Sequence, residues 1–277
     1  MNDTTRMEAP VDQAAGLRRM FSSRTLRFIP VVSNPFVAFG GVLIERLCAA
    51  LEVLQLETLV VDASERGAPP QELSSFDLRE GVEPLSPYVS YLAARGLPVR
   101  WVDSRGSTRL FLDAVAEAAP DVQVVLVHGS AIEMARLFGR GDNGLSRPRP
   151  VLLCDDRSEA MTHAYAAMKV LAQRADWLAH DLLLCAPPAS SHSRFVAERL
   201  AHCADLFLGG VQHAWAQIDP AEPPTARPSD EVMDMVRELL AAAAVYTLSD
   251  TTRDSDYAAF RDSRIAALPA SHKSASI

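Results

Sequence analysis

From Leu26 to Leu208 the chain alternates short, nearly continuous apolar runs with stretches of helical period, and that alternation fixes the fold class before any motif is considered. The runs are Leu26–Val32, Thr58–Val61, Val99–Val102, Val122–Val127, Val151–Cys154, Leu182–Cys185 and Leu206–Leu208. Between them the spacing predicts helices over Gly40–Gln55, Thr108–Ala118, Ala131–Phe138, Ser158–Gln173 and Ser193–Ala204; in the first, Leu43, Leu47, Ala50, Leu51 and Leu54 share a broad apolar face. Strands apolar on both faces, each followed by a helix, predict an α/β fold. Right-handed crossovers make it a doubly wound, mainly parallel sheet with helices on both faces. Residues 65–90 and 139–150 read as loops, the former with one short helix at most. A Pro-rich linker after Pro220 leads to a helix over Asp230–Ala244.

The flanks differ in character. The first ten residues are polar. Pro10 precedes a short amphipathic stretch, Val11 to Phe21, where Ala14, Leu17 and Phe21 share a face and Arg18 and Arg19 point elsewhere. The expected organisation is a flexible N-terminus at 1–24 carrying a helix over 11–21, one α/β domain at 25–249, and a polar tail at 250–277. With 277 residues and 48% hydrophobic content the chain can bury such a core.

A formal charge of −8 argues against broad electrostatic binding to nucleic acid, which needs concentrated positive charge to displace counterions. Cys48, Cys154, Cys185 and Cys203 form no C-x-x-C pair and read as small core residues of a reducing compartment. The N-terminus lacks the apolar run of a signal peptide, and no stretch approaches the roughly 20 apolar residues of a membrane span. The helix at Asp230 starts with Asp230, Glu231 and Asp234 and lacks the basic face of a membrane anchor, while Tyr257–Leu268 is short. A cytoplasmic protein without strong membrane binding is expected.

Two stretches carry a family resemblance. Asp12 to Met20, DQAAGLRRM, resembles the DQAxxLR activation helix of the FlhG (or FleN) family, MinD-type ATPases that control flagellar number and placement. Asp12, Gln13, Ala14, Leu17 and Arg18 match position for position. In that family the helix contacts FlhF, a signal-recognition-particle-type GTPase, and stimulates its GTP hydrolysis. An amphipathic helix docking on its own domain is the plainer alternative for the same residues. Thr162 to Leu171, THAYAAMKVL, is similar to the T-DAY-IK helix of the family, which follows a TTPE turn; here that turn is CDDRSEA, Cys154 to Ala160. The resemblance covers residues 11–220 and implies a MinD/ParA-like P-loop NTPase fold.

The nucleotide elements that the resemblance implies are changed. The family's K-G-G-x-G-K-T loop cradles phosphates with backbone N–H groups, neutralises them with lysines and places Thr on magnesium. Here the interval is Ser33 to Val42, SNPFVAFGGV. Pro35 stands for the first lysine, Gly40 for the second and Gly41 for the threonine. Phe36, Val37 and Phe39 replace the interior glycines. Proline removes a donor, bulky side chains are expected to block close approach, and no Lys or Arg lies between Arg27 and Arg46. The D-x-D after the second strand reads Asp62-Ala63-Ser64, with Ser64 at the second carboxylate, and His128 replaces the aspartate of the D-x-x-G segment. A phosphoryl-transfer site consists almost wholly of positioned charges, so a pseudo-ATPase with no cofactor is expected. Phe36, Val37 and Phe39 are expected to fill the vacated pocket; an interface with a partner or a second copy is the alternative.

Other chemistry is weakly supported. The seven histidines, His128, His163, His180, His192, His202, His213 and His272, show no metal-ligand spacing. His128-Gly129-Ser130 lacks a G-x-S-x-G elbow. Adjacent Asp155 and Asp156 in extended chain point to opposite faces. The expected function is a non-catalytic, FlhG-like regulator of flagellar biogenesis that binds an FlhF-like GTPase through its N-terminal helix. The resemblance adds, as further partners, an enhancer-binding transcription activator, a flagellar basal-body component and a second copy in a homodimer, with recruitment to the cell pole. Two alternatives stand beside it. One is a pseudo-ATPase scaffold of another polar or secretion apparatus. The other is an enzyme with a pocket around Ser33, Asp62 and His128, which predicts an open polar cleft where the regulator predicts a filled or apolar one.

Overall fold

The computed structural model describes residues 24–72, 77–102, 108, 110–139, 147–188, 190 and 192–248. In chain order the elements are β1 (Arg24–Val32), α1 (Gly40–Val53), β2 (Thr58–Asp62), β3 (Val82–Pro84), β4 (Val89–Ala93), α2 (Leu110–Ala118), β5 (Val124–Gly129), α3 (Ala131–Phe138), β6 (Val151–Asp155), α4 (Ser158–Ala175), β7 (Ala179–Cys185), α5 (His192–Leu208), β8 (Val211–Ile218), α6 (Asp230–Ala241) and β9 (Ala244–Leu248). Nine strands form one sheet in the order β3-β4-β2-β5-β1-β6-β7-β8, with β9 against β1. All neighbours are parallel except β3–β4 and β1–β9.

The central strands are apolar because both faces are covered: Leu26, Phe28, Val31, Leu59, Val124, Val127, Leu152 and Leu182 are buried completely. One edge of β1 is shared end to end. β9 pairs with Arg24–Phe28, and β6 takes over at Val31 and Val32. Phe28 anchors this junction, with the Phe138 and Tyr246 rings edge-on at 6.3 and 5.9 Å. Burial also explains the cysteines. Cys48, Cys154 and Cys185 are buried and unpaired, and burial pushes the first two thiols up to about 12.

Four expectations are corrected. Val99–Val102 is not a strand: Pro98 opens a 3-10 turn over Pro98–Trp101, where its missing N–H costs nothing. The strand beside β2 is instead Val89–Ala93, which begins at the end of the stretch read as loop, and Val82–Pro84 inside that stretch is a strand as well. Leu206–Leu208 is the last turn of α5, and the following strand is Val211–Ile218. The helix from Asp230 stops at Ala241 rather than Ala244, and β9 follows. Its start matches, with Ser229 accepting from the Val232 N–H as a side-chain cap.

Candidate functional site

The carboxyl ends of β1, β2, β5 and β6 surround an open cleft of about 280 Å³, where ligands of doubly wound folds bind. The loop from β1 into α1 forms one wall and is tied down by its own side chains. Buried Asn34 donates from Nδ2 to the carbonyls of Leu153 (3.0 Å) and Ala160 (2.9 Å), and its Oδ1 accepts from the Phe36 N–H at 3.1 Å. The Val37 N–H donates to the Asn34 carbonyl at 3.1 Å. Arg157, at the entry to α4, reaches the Phe36 carbonyl and the Asp155 carboxylate, the latter at 2.7 and 2.9 Å. Two of the loop's N–H groups are therefore spent inside the protein, and Pro35 has none.

The opposite wall holds an Asp–His pair set by strand register. Asp62 of β2 and His128 of β5 are direct neighbours in the ladder, and His128 Nδ1 lies 2.9 Å from Asp62 Oδ1. Tyr91 O–H donates to Asp62 Oδ2 at 3.2 Å, and the Ser64 N–H to Oδ1 at 3.1 Å. Gly67 packs so close that a Cβ there would lie 2.8 Å from Oδ2. Burial alone would raise the Asp62 carboxyl, but hydrogen bonds from His128 and Ser64 and the charge of His128 outweigh it and hold the group down to about 2. Because the carboxylate is ionised and only accepts, His128 carries its proton on Nδ1 toward it. The rest of the lining includes Ser33, Ser130, Glu65, Arg66 and His163. Burial lowers the pKa of His163, and its ring lies 5.7 Å from that of Phe36.

The expected pocket filling is corrected. Val37 turns inward, 3% exposed, but Phe36 and Phe39 are 46% and 53% exposed. Their rings do not plug the cleft, since the Asn34 and Arg157 contacts hold the loop backbone against β6 and α4. Gly40 and Gly41 open α1 with free space around them, and Phe39 at the cap position supplies no side-chain bond. The carboxyl and guanidinium groups of the lining are Asp62, Glu65 and Arg66, and the Arg157 guanidinium is engaged by Asp155. The cleft is open, as the enzyme alternative requires, but its lining exposes more apolar than polar surface; His128 is oriented by a carboxylate in the manner of a general base. Among the described residues no group of three or more His, Cys, Asp or Glu is placed to hold a metal ion.

Sequence reasoning located Ser64 and His128 as departures from a motif and grouped Ser33, Asp62 and His128 as a candidate pocket; the direct Asp62–His128 contact follows from the β2–β5 register, which no local pattern carries. Asn34, Tyr91 and Arg157 were missed, because a buried Asn and an Arg one turn from a strand end have no signature of their own. Asp12, Gln13, Ala14, Leu17 and Arg18 lie outside the described residues. A second cleft, of about 480 Å³, lies between β8 and the start of α6, lined by Trp215, Asp219, Glu222 and Glu231. Its floor includes Arg46, which pairs with Glu222 and donates to the Ala226 carbonyl at 2.9 Å. Among the described residues no helix is long and apolar enough to cross a membrane.

No family model matches the sequence, and no curated protein matches it. Solved structures do. The MinD cell division protein of Aquifex aeolicus superposes with a TM-score of 0.52 at 12% identity, covering 78% of this chain and 97% of that one. MinD in the MinC:MinD complex of the same organism gives 0.53 at 11% identity, over 78% and 96%. Cobyrinic acid a,c-diamide synthase from Mycobacterium smegmatis gives 0.51 at 13% identity, over 78% and 94%. The chain thus has the MinD/ParA-type P-loop NTPase fold.

Proposed function

We propose that this chain is a nucleotide-independent, FlhG-like regulator of flagellar biogenesis, binding an FlhF-type GTPase through Asp12, Gln13, Ala14, Leu17 and Arg18 and stimulating its GTP hydrolysis. The observation that carries the reading is the wiring of the β1–α1 loop. Asn34 takes up the Phe36 and Val37 N–H groups that a phosphate would use, Arg157 holds the Phe36 carbonyl, no lysine enters, and Asp62 and His128 satisfy each other. A domain organised in this way needs no nucleotide to hold its shape, while the motif beside it keeps every matching residue. The test is the GTP hydrolysis rate of the FlhF-type protein of the same organism with the chain and with its Gln13→Ala variant. Stimulation by the chain that disappears with Gln13→Ala is expected; an unchanged rate with an active partner removes the reading.

One observation favours a second reading, an enzyme. The oriented His128 at the wall of an open cleft has the arrangement of a general base. Diethyl pyrocarbonate modification of His128 that a small-molecule library compound protects against, in a form abolished by Asp62→Asn, would favour it. A library that protects nothing leaves the regulator alone.

A further inference from the structure

We infer that the N-terminal amphipathic segment, residues 11–21, docks on its own domain at an apolar corner formed by Leu178, Leu206, Phe207 and Val211, and that this parks the segment away from its GTPase partner. The inference rests on the proposed role of the segment and adds its regulation.

The corner is the amino end of β7 and β8. Leu178 precedes β7, Leu206 and Phe207 form the last turn of α5, and Val211 opens β8. The turn between them is tight. Gly209 takes φ +61°, the Gly210 N–H donates to the Ala204 carbonyl at 2.9 Å, and the Val211 N–H donates to the Leu178 carbonyl at 2.7 Å. Around this turn the side chains of Leu178, Leu206, Phe207 and Val211 are 42%, 61%, 65% and 59% exposed. An exposed cluster of this kind marks an interaction site. Beneath it, Trp177 Nε1 and His180 Nε2 are buried without partners, in residues only 7% and 5% exposed. The packing of this corner is incomplete in the described residues.

The point where the chain enters the domain selects the occupant. β1 begins at Arg24, and the register sets Val211 opposite Ala179 and, through β6, at the level of Ile29, five residues further along. β1, β6, β7 and β8 are successive neighbours, so Val211 lies about 14 Å across and about 17 Å along from Arg24, about 22 Å in all. An 11-residue helix is about 16 Å long, and two residues, Ser22 and Ser23, join it to β1 across about 10 Å. The segment therefore just spans the distance to the corner and falls short of the cleft, which lies about 30 Å away at the far end of β1. Ala14, Leu17 and Phe21 offer an apolar face of matching width, and Arg18 and Arg19 match Asp205, which makes no ion pair among the described residues beside Leu206 and Phe207. An added strand is disfavoured, because β8 is bulged opposite His180–Leu182 and its Ala214 N–H turns to the Asp181 carboxylate at 3.0 Å. The segment from Tyr257 to Leu268 starts from the same end of the sheet, but on a longer tether and with Arg261 and Arg264 within its apolar face.

Hydrogen exchange of the full chain tests this, compared with the Leu206→Glu/Phe207→Glu double variant, whose two positions are exposed and whose unchanged melting temperature establishes that it folds. Amides of residues 13–20 are expected to exchange at least about tenfold slower than unprotected amides in the chain and at the unprotected rate in the variant. The variant is also expected to reach half-maximal GTPase stimulation at an at least about threefold lower concentration. Unprotected amides in the unmodified chain, or protection that survives the double substitution, overturn the inference. So does protection of residues 257–268 instead, or protection that depends on protein concentration, which would point to the tail or a second copy. If neither form stimulates the GTPase while the exchange pattern holds, the docking stands and the GTPase reading falls.

Discussion

The two ends of the sheet treat their polar groups in opposite ways. At the carboxyl end His128 lies against an ionised aspartate that also accepts from Tyr91 and Ser64, and Asn34 uses both ends of its amide. At the amino end His180 is buried with no partner for Nε2, and burial pushes it down to about 4. Leu206, Phe207 and Val211 stand exposed nearby. In a fold whose ligands bind at the carboxyl end, the cleft lined by Asn34, Asp62 and His128 is satisfied from within, whereas His180 and the exposed apolar side chains at the other end are not. The difference sets a cleft whose polar groups are paired internally against a surface whose apolar groups are exposed.

The largest effect that sharpens the contrast is at Asn34. Asn34→Leu leaves two buried carbonyls and the Phe36 N–H unpaired, and is expected to cost about 3 kcal/mol in denaturant unfolding; a loss within about 0.5 kcal/mol would mean the loop is not held from within. At the amino end the expected signature is in pH. The folded pKa of His180 lies below its ordinary 6.5, so the unfolded chain binds the extra proton between pH 6.5 and about 4, and stability falls as pH drops through that window. The total is about 3 kcal/mol at 1.36 kcal/mol per pH unit, and His180→Gln should flatten that part of the profile. Asp62 is depressed instead, from 3.8 to about 2. Its contribution is present above pH 4 and is lost as pH falls toward 2, at about 2 kcal/mol, and Asp62→Asn should remove it. The smallest effect is at the loop tip: Phe36→Ser and Phe39→Ser should each change stability by no more than about 0.5 kcal/mol, because both residues are about half exposed and neither fills the cleft. A loss of several kcal/mol at either ring would restore the filled pocket that the sequence suggested.

The frame was legible because its central strands are covered on both faces and so read as unbroken apolar runs: Leu26–Val32, Thr58–Val61 and Val151–Cys154 lie within β1, β2 and β6. The peripheral strands were not. β8 has Gln212, His213 and Gln217 among its residues and is half solvated, so its pattern is diluted. β9 follows a run of alanines that continues the helical signal of α6. In the cleft, local sequence gave the identities of Pro35, Gly40, Gly41, Ser64 and His128, but the direction of Phe36 and Phe39 depends on contacts from Asn34 to β6 and α4, more than a hundred residues away. Long-range hydrogen bonds of that kind leave no periodicity to read.

The most direct test of the account is calorimetric titration of the full chain with magnesium-ATP. A cleft that has two loop donors spent on internal bonds, none at Pro35 and no lysine in its lining predicts no binding heat up to about 1 mM nucleotide. A saturating isotherm at micromolar affinity, weakened further by a substitution at Gly40 or Gly41, would contradict it and return the chain to the nucleotide-driven members of its fold.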